Sequence, residues 1–324
     1  MKNYILLAAA ALTLGACSND DENLNNGPIE ARITAGVSTP DTRAINNKWE
    51  ADEIGVMVTS APTSNMEDLY KNVKYTTTAS DASAANFTAE AGKGIFFQDA
   101  NETVTFAAYG PYQPSEANAL PGTDGVISDI TTEHQSTRET QKAFDYIYAS
   151  GATASRSTPT VQFSNGNAFS HKMARLIIIV QTSREDGFKA EEVTGGTYSL
   201  SGLNHEGTFN VTTGVAAATA NPETKAADWS LTDNSLKTEE ETQVTFTSIL
   251  YPQTLSGALT FKAVIGGQTY VNNQDIKPAL EAGYSYTYTI TTKKTGLELS
   301  GCTIEDWIIL ADGSGTQTGD ATMQ

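Results

Sequence analysis

His205-Glu206 opens the pattern in which two histidines four residues apart hold zinc while the glutamate acts as a base. Position 209 is Phe where the second histidine would stand, and Gly202 and Gly207 oppose a helix there. Glu305-Asp306 offers two carboxylates of the kind that divide acid and base work on a glycosidic bond. Adjacent residues of a strand point to opposite faces, so this pair does not share a cleft. Asp312-x-Ser314-x-Thr316 begins like a calcium loop but lacks Gly at the sixth position and an acid at the twelfth. His171, in Phe169-Ser-His-Lys-Met-Ala-Arg175, is expected to pack or hydrogen-bond at the start of a strand. There is no G-x-S-x-G elbow, phosphate loop or dinucleotide fingerprint. No catalytic, cofactor-binding or metal residue is assigned, and an enzyme is not expected.

The N-terminus does carry a chemical signal. Met1-Lys-Asn and Tyr4–Leu14 form a basic and then a short apolar region, the layout of a secretory signal. About 11 apolar-leaning residues fall short of the ~20 that span a bilayer as a helix. Leu14-Gly15-Ala16-Cys17 is similar to the bacterial lipobox, where the cysteine is acylated and becomes the new N-terminus. At ~0.8 kcal/mol per buried CH₂, two or three acyl chains are a lasting anchor. Residues 1–16 are therefore read as a signal peptide and Cys17 as the lipidation site. Residues 17–28, polar and acidic, are read as a flexible tether. The acidic run resembles signals that send some Gram-negative lipoproteins to the cell exterior, so the outer membrane, surface-exposed, is the expected location. The other thiol, Cys302, is expected to be a small buried hydrophobe.

The 324 residues carry 20 Lys+Arg against 38 Asp+Glu, a net charge of −18 that repels phosphate backbones and excludes nucleic acid as a partner. Two cysteines exclude a disulfide-dense scaffold and a multi-thiolate zinc site. Tyr284-Ser-Tyr-Thr-Tyr-Thr-Ile290 alternates apolar and polar residues as a half-buried antiparallel strand does. Val104–Tyr109, Val161–Phe163, Val244–Phe246 and Leu259–Phe261 repeat the theme, and Leu176-Ile-Ile-Ile-Val180 reads as a strand buried on both faces. Ala79–Ala91 and Thr131–Ala143 are expected to be loops or short helical turns, and Thr212–Ser230 a long surface connection. The small-residue run Ser150–Pro159 is the best boundary, giving β-sandwich domains over 29–157 and 158–310 and a polar tail over 311–324.

Several patterns occur in one order: Thr42-Arg43-Ala44, Trp49-Glu-Ala-Asp-Glu-Ile-Gly-Val56, Phe144-Asp-Tyr-Ile-Tyr-Ala149 and Phe169–Leu176. Ile249-Leu-Tyr-Pro-Gln253, Leu280-Glu-Ala-Gly-Tyr-Ser-Tyr286 and Gly301-Cys-Thr-Ile-Glu-Asp-Trp307 follow. Together with the lipobox they resemble the fimbrillin family of type V pilins and surface lipoproteins. That resemblance implies an all-β fold of two tandem transthyretin-like antiparallel sandwiches. It further implies cleavage by a trypsin-like protease after an arginine beyond the first strand, which then leaves and is replaced by a strand of a neighbouring pilin subunit.

Ala31-Arg-Ile-Thr-Ala-Gly-Val37 suits the part of that strand, with Ala31, Ile33, Ala35 and Val37 on one face. It is expected to be a replaceable ribbon, held by edge pairing and shallow side-chain insertion. Arg43, followed by Ala44, lies among Thr, Pro and Asp within reach of a protease; the competing reading is a solvated loop residue. Arg32 is the rival basic site but lies inside the strand. Residues 311–324 hold two Ala and one Met, too little for a donor strand, and Ile308–Leu310 reads as the last strand of the domain's own sheet. The chain is thus expected to accept a strand without donating one, or not to polymerise. The alternative function is a monomeric lipoprotein that binds host or dietary glycans. Trp49 and Trp307 are then expected to be core anchors and Trp229 an exposed platform.

Overall fold

The computed structural model describes residues 27–36, 48–183 and 187–307. The first half contains β1 (Arg32–Gly36), β2 (Glu53–Ser60), β3 (Val73–Thr76), β4 (Ala84–Phe87) and β5 (Thr103–Gly110). It continues with β6 (Val126–Thr131), β7 (Ile147–Ser155), β8 (Thr160–Phe163) and β9 (Ser170–His171). The second half opens with β10 (Ala174–Thr182), β11 (Thr197–Ser201), β12 (Glu206–Asn210), β13 (Val215–Ala218) and β14 (Trp229–Ser230). The last strands are β15 (Leu236–Glu239), β16 (Gln243–Leu250), β17 (Thr260–Ile265), β18 (Gln268–Asn272), β19 (Tyr284–Lys293) and β20 (Gly296–Asp306). Helices are short. The fold is all-β, as the alternating sequence pattern requires.

In the first half, the sheet β3-β2-β5-β7-β9 faces the sheet β4-β1-β8. Ile54, Val56, Val58, Val104, Phe106 and Ala108 from the former meet Ile33, Phe87, Val161 and Phe163 from the latter in one core. In the second half, β15-β16-β10-β19-β20 faces β14-β11-β17-β18. Pairing is antiparallel except between β1 and β8 and between β10 and β19. Tyr286, Tyr288 and Ile290 of β19 point into this second core, as the alternation in the sequence indicates. Along β10, Leu176, Ile178 and Val180 are buried while Ile177 and Ile179 are half-buried. That strand therefore alternates, and is not closed on both faces as its apolar run leads one to expect.

The halves are joined by structure that the sequence does not announce. β6 pairs with β12 in a third sheet, β13-β12-β6. A third core lies between the halves, where Met57, Ala107 and Tyr109 meet Met173, Phe209, Tyr251 and Trp307. β5 thus serves two cores, with Val104, Phe106 and Ala108 on one and Ala107 and Tyr109 on the other.

Four other expectations are corrected. The run Ser150–Pro159 is largely β7, because Ala152 and Ala154 fit the first core and Gly151, at φ +80°, forms a bulge opposite Phe106 and Ala107. β8 pairs with β1, and Phe163 and Phe169 enter the first core, so the first sandwich runs past residue 157 and the change of half falls near Met173. Ala79–Ala91 contains β4, and Thr212–Ser230 contains β13, a helix over Pro222–Ala226 and β14. Cys302 is exposed on β20; partial burial pushes its thiol pKa up, with a hydrogen bond from the Tyr288 side opposing.

Candidate functional site

The expectation of a ribbon held by edge pairing and shallow side-chain insertion is corrected: the first strand is built into the middle of its sheet and deeply buried. β1 lies in the middle of its sheet, antiparallel to β4 on one side and parallel to β8 on the other. The pairing continues upstream: Ala31 N–H donates to Ile95 C=O at 2.8 Å, and Phe97 N–H to Ile29 C=O at 3.0 Å. On the opposite side Arg32 N–H donates to Pro159 C=O at 2.8 Å. Ala31, Ile33 and Ala35 are 2%, 1% and 0% exposed, so insertion is deep. The physical reason is the alternation itself, since three apolar side chains on one face enter the core once both neighbours are in place. Taking β1 away would leave unpaired backbone on β4 and β8 and an apolar trough between them.

Arg32 projects into solvent while its backbone is paired. Cys17, Val37, Arg43 and Ala44 lie outside the described residues, as do Ile308–Leu310 and the tail. Beyond residues 37–47 the chain is fixed again at once. Trp49 exchanges backbone hydrogen bonds with Ala82 at 2.9 and 3.3 Å. Its ring meets Phe87 and Phe169 edge-on at 5.0 and 5.5 Å. Lys142 ion-pairs with the buried Asp52 at 2.7 Å, holding the same corner. The segment that carries Arg43 is therefore bounded on both sides by residues embedded in the first core.

The tryptophans are all interior. Trp229, expected on the surface, is 4% exposed and stacks on His205 with ring centroids 4.5 Å apart. The polar Ala/Asp-rich neighbourhood of Trp229 hides this, because β14 pairs with β11 and so turns the ring inward. His205 is buried beside it, and burial pushes its pKa down to about 4. His171 packs as expected: Nδ1 lies 2.7 Å from Asp145 Oδ1, and the ring stacks on Trp307 at 4.1 Å. Glu305 and Asp306 pair across to Ser285 and Tyr284, successive positions on β19, and so point to opposite faces. Among the described residues no three His, Cys, Asp or Glu side chains group as a metal site.

Two facing-sheet sandwiches, the first with β1 at the centre of one of its sheets, define an all-β sandwich protein. The chain belongs to the fimbrillin-like family, whose model matches residues 42–307. That match begins after β1, so membership itself is independent of the first strand. Over its full length the chain is similar to "Putative fimbrium subunit Fim1C" of Bacteroides uniformis. The two are 32% identical over 337 aligned positions covering 99% of this chain and 100% of that one. It is also similar to a crystal structure described as a "putative cell adhesion protein" from Bacteroides ovatus, at 28% identity and a TM-score of 0.68. That match covers 87% of this chain and 98% of the other. A second so described, from Bacteroides uniformis, matches at 25% identity and a TM-score of 0.64 over 88% of this chain and 100% of the other. The family is one of fimbrial and adhesion proteins, structural in role, and its membership points to a surface fimbrial location and to assembly with other pilin subunits.

Proposed function

We propose that this chain is exported as a lipid-anchored precursor and becomes a fimbrial subunit that accepts a strand from a neighbouring subunit. After export Cys17 is acylated and holds the protein at the outer membrane. Cleavage between Arg43 and Ala44 separates residues 17–43 from the body. β1 is then withdrawn, and a strand of another subunit occupies its place. The single observation that supports this reading is the central position of β1, paired on both sides with Ala31, Ile33 and Ala35 buried. Only a strand between two others leaves, on departure, a trough that a new strand can fill with hydrogen bonds on both sides. Each bond nets only about 0.5–1.5 kcal/mol, but a full strand with buried side chains dissociates slowly, which suits a permanent fibre.

Sizing and N-terminal sequencing of the protein from the cell surface test the scheme. A high-mass assembly whose chains start at Ala44 is the expected result. A lone intact monomer carrying lipid on Cys17 would overturn it.

A further inference from the structure

We infer that the trough occupied by β1 selects its occupant by side-chain size. The strand of a second chain that takes its place carries small, β-branched and small residues at alternate positions, followed by glycine. This rests on the strand-replacement reading above and specifies the partner's chemistry.

The register shows why. Ile33 stands between Phe87 of β4 and Val161 of β8, and Ala35 between Ala85 and Phe163. Directly paired residues share a face, so each row of three fills one layer of the core. In the second row Phe163 takes the volume, and what remains between it and Ala85 is a methyl group's worth: Ala35 is wholly buried. A leucine there has no unfilled space to enter and must displace the phenylalanine ring. In the first row the reverse holds, and an alanine in place of Ile33 leaves a cavity beside Phe87 and Val161. Gly36 follows, where a Cβ would stand a tight 3.3 Å from Ser164 Cβ, so the smallest residue fits there without displacing a neighbour. Small–branched–small reads the same in both directions, so the glycine end is what gives the side-chain pattern a direction.

The outer face imposes no such limit. Arg32 is exposed and Thr34 half-buried, and both border an open cleft shared with Glu30, Asn86 and Thr88, so the outward positions tolerate larger side chains than the inward ones.

The test uses the full chain with a site-specific protease sequence inserted between residues 38 and 47, cut once. Fluorescent peptides of residues 27–37 are offered as wild type, Ala35→Leu, Ile33→Ala and Thr34→Leu. Wild type and Thr34→Leu should enter with similar affinity, and the Ala35→Leu and Ile33→Ala peptides at least about tenfold more weakly. Equal entry by all four overturns size selection and leaves strand replacement standing. With the cut strand first released in sub-denaturing urea and removed, entry by none, wild type included, overturns strand replacement itself. In the uncut protein, Ala35→Leu should melt below Thr34→Leu; equal melting would overturn the size rule without reference to exchange.

Discussion

His205 shows how one buried side chain makes this protein sensitive to acid. Neither ring nitrogen has a hydrogen-bond partner among the described residues, and burial lowers its pKa from 6.5 to about 4. The unfolded chain takes up this proton below about pH 6.5, whereas the folded chain resists until about pH 4. Its contribution to stability is therefore complete above pH 6.5 and is lost progressively as the pH falls towards 4, amounting to about 2 kcal/mol at pH 5. In urea unfolding, His205→Leu should lose about 2 kcal/mol less than the wild type between pH 7 and pH 5. An identical loss in the two proteins would show that the ring is protonated in the fold without penalty. Trp229, stacked on that imidazole, belongs to the same buried pair. Its burial removes the exposed aromatic on which a glycan-binding reading leaned.

At the scale of elements, β7 and β1 carry the lessons. β7 reads as a linker because Ser150–Ser155 is a run of small residues, yet Ala152 and Ala154 are buried in the first core while Gly151 and Thr153 between them face out. Gly151 has no Cβ and takes φ +80° at the bulge, and a Cβ there would lie 3.1 Å from Asn167 Oδ1. Gly151→Val should cost about 2 kcal/mol or more in chemical denaturation, because β-branched residues resist positive φ. Gly151→Asn, which tolerates that region better, should cost less. A valine variant as stable as the wild type would mean the bulge can move along the strand. For β1, the sequence identifies the strand and its inward face from alternation alone. Its central position is set by β4 and β8, residues 84–87 and 160–163, and nothing local to residues 31–36 specifies those neighbours.

Across the whole molecule, the two halves are braced as one body. Gln135, fully buried, donates from Nε2 to Ile249 C=O at 2.9 Å and accepts from Ile249 N–H at 2.6 Å on Oε1. One amide side chain thus acts as a strand residue against β16. Gln141 donates to Thr247 C=O at 2.6 Å, adding a second tie from the helix Arg138–Phe144 to the same strand. With the β6–β12 pairing and the third core, these ties couple the sandwiches, and calorimetry should show one unfolding transition. Gln135→Leu strands the Ile249 N–H and C=O and should cost about 2–4 kcal/mol. Two resolved transitions in the wild type would show the halves to be independent.

Alternation of apolar and polar residues determined the all-β class, the inward face of β1 and the core face of β19, because side-chain period two is a local property of extended chain. The order of short motifs was enough to indicate the family. The absence of zinc-protease and calcium patterns was equally plain in the residues. Tertiary structure alone decided that β1 is central, that Trp229 is buried, that Cys302 is exposed and that β6 crosses to the second half. Each of these depends on which distant strands lie alongside, and a chain's own spacing sets which face a residue takes but not which neighbour covers it.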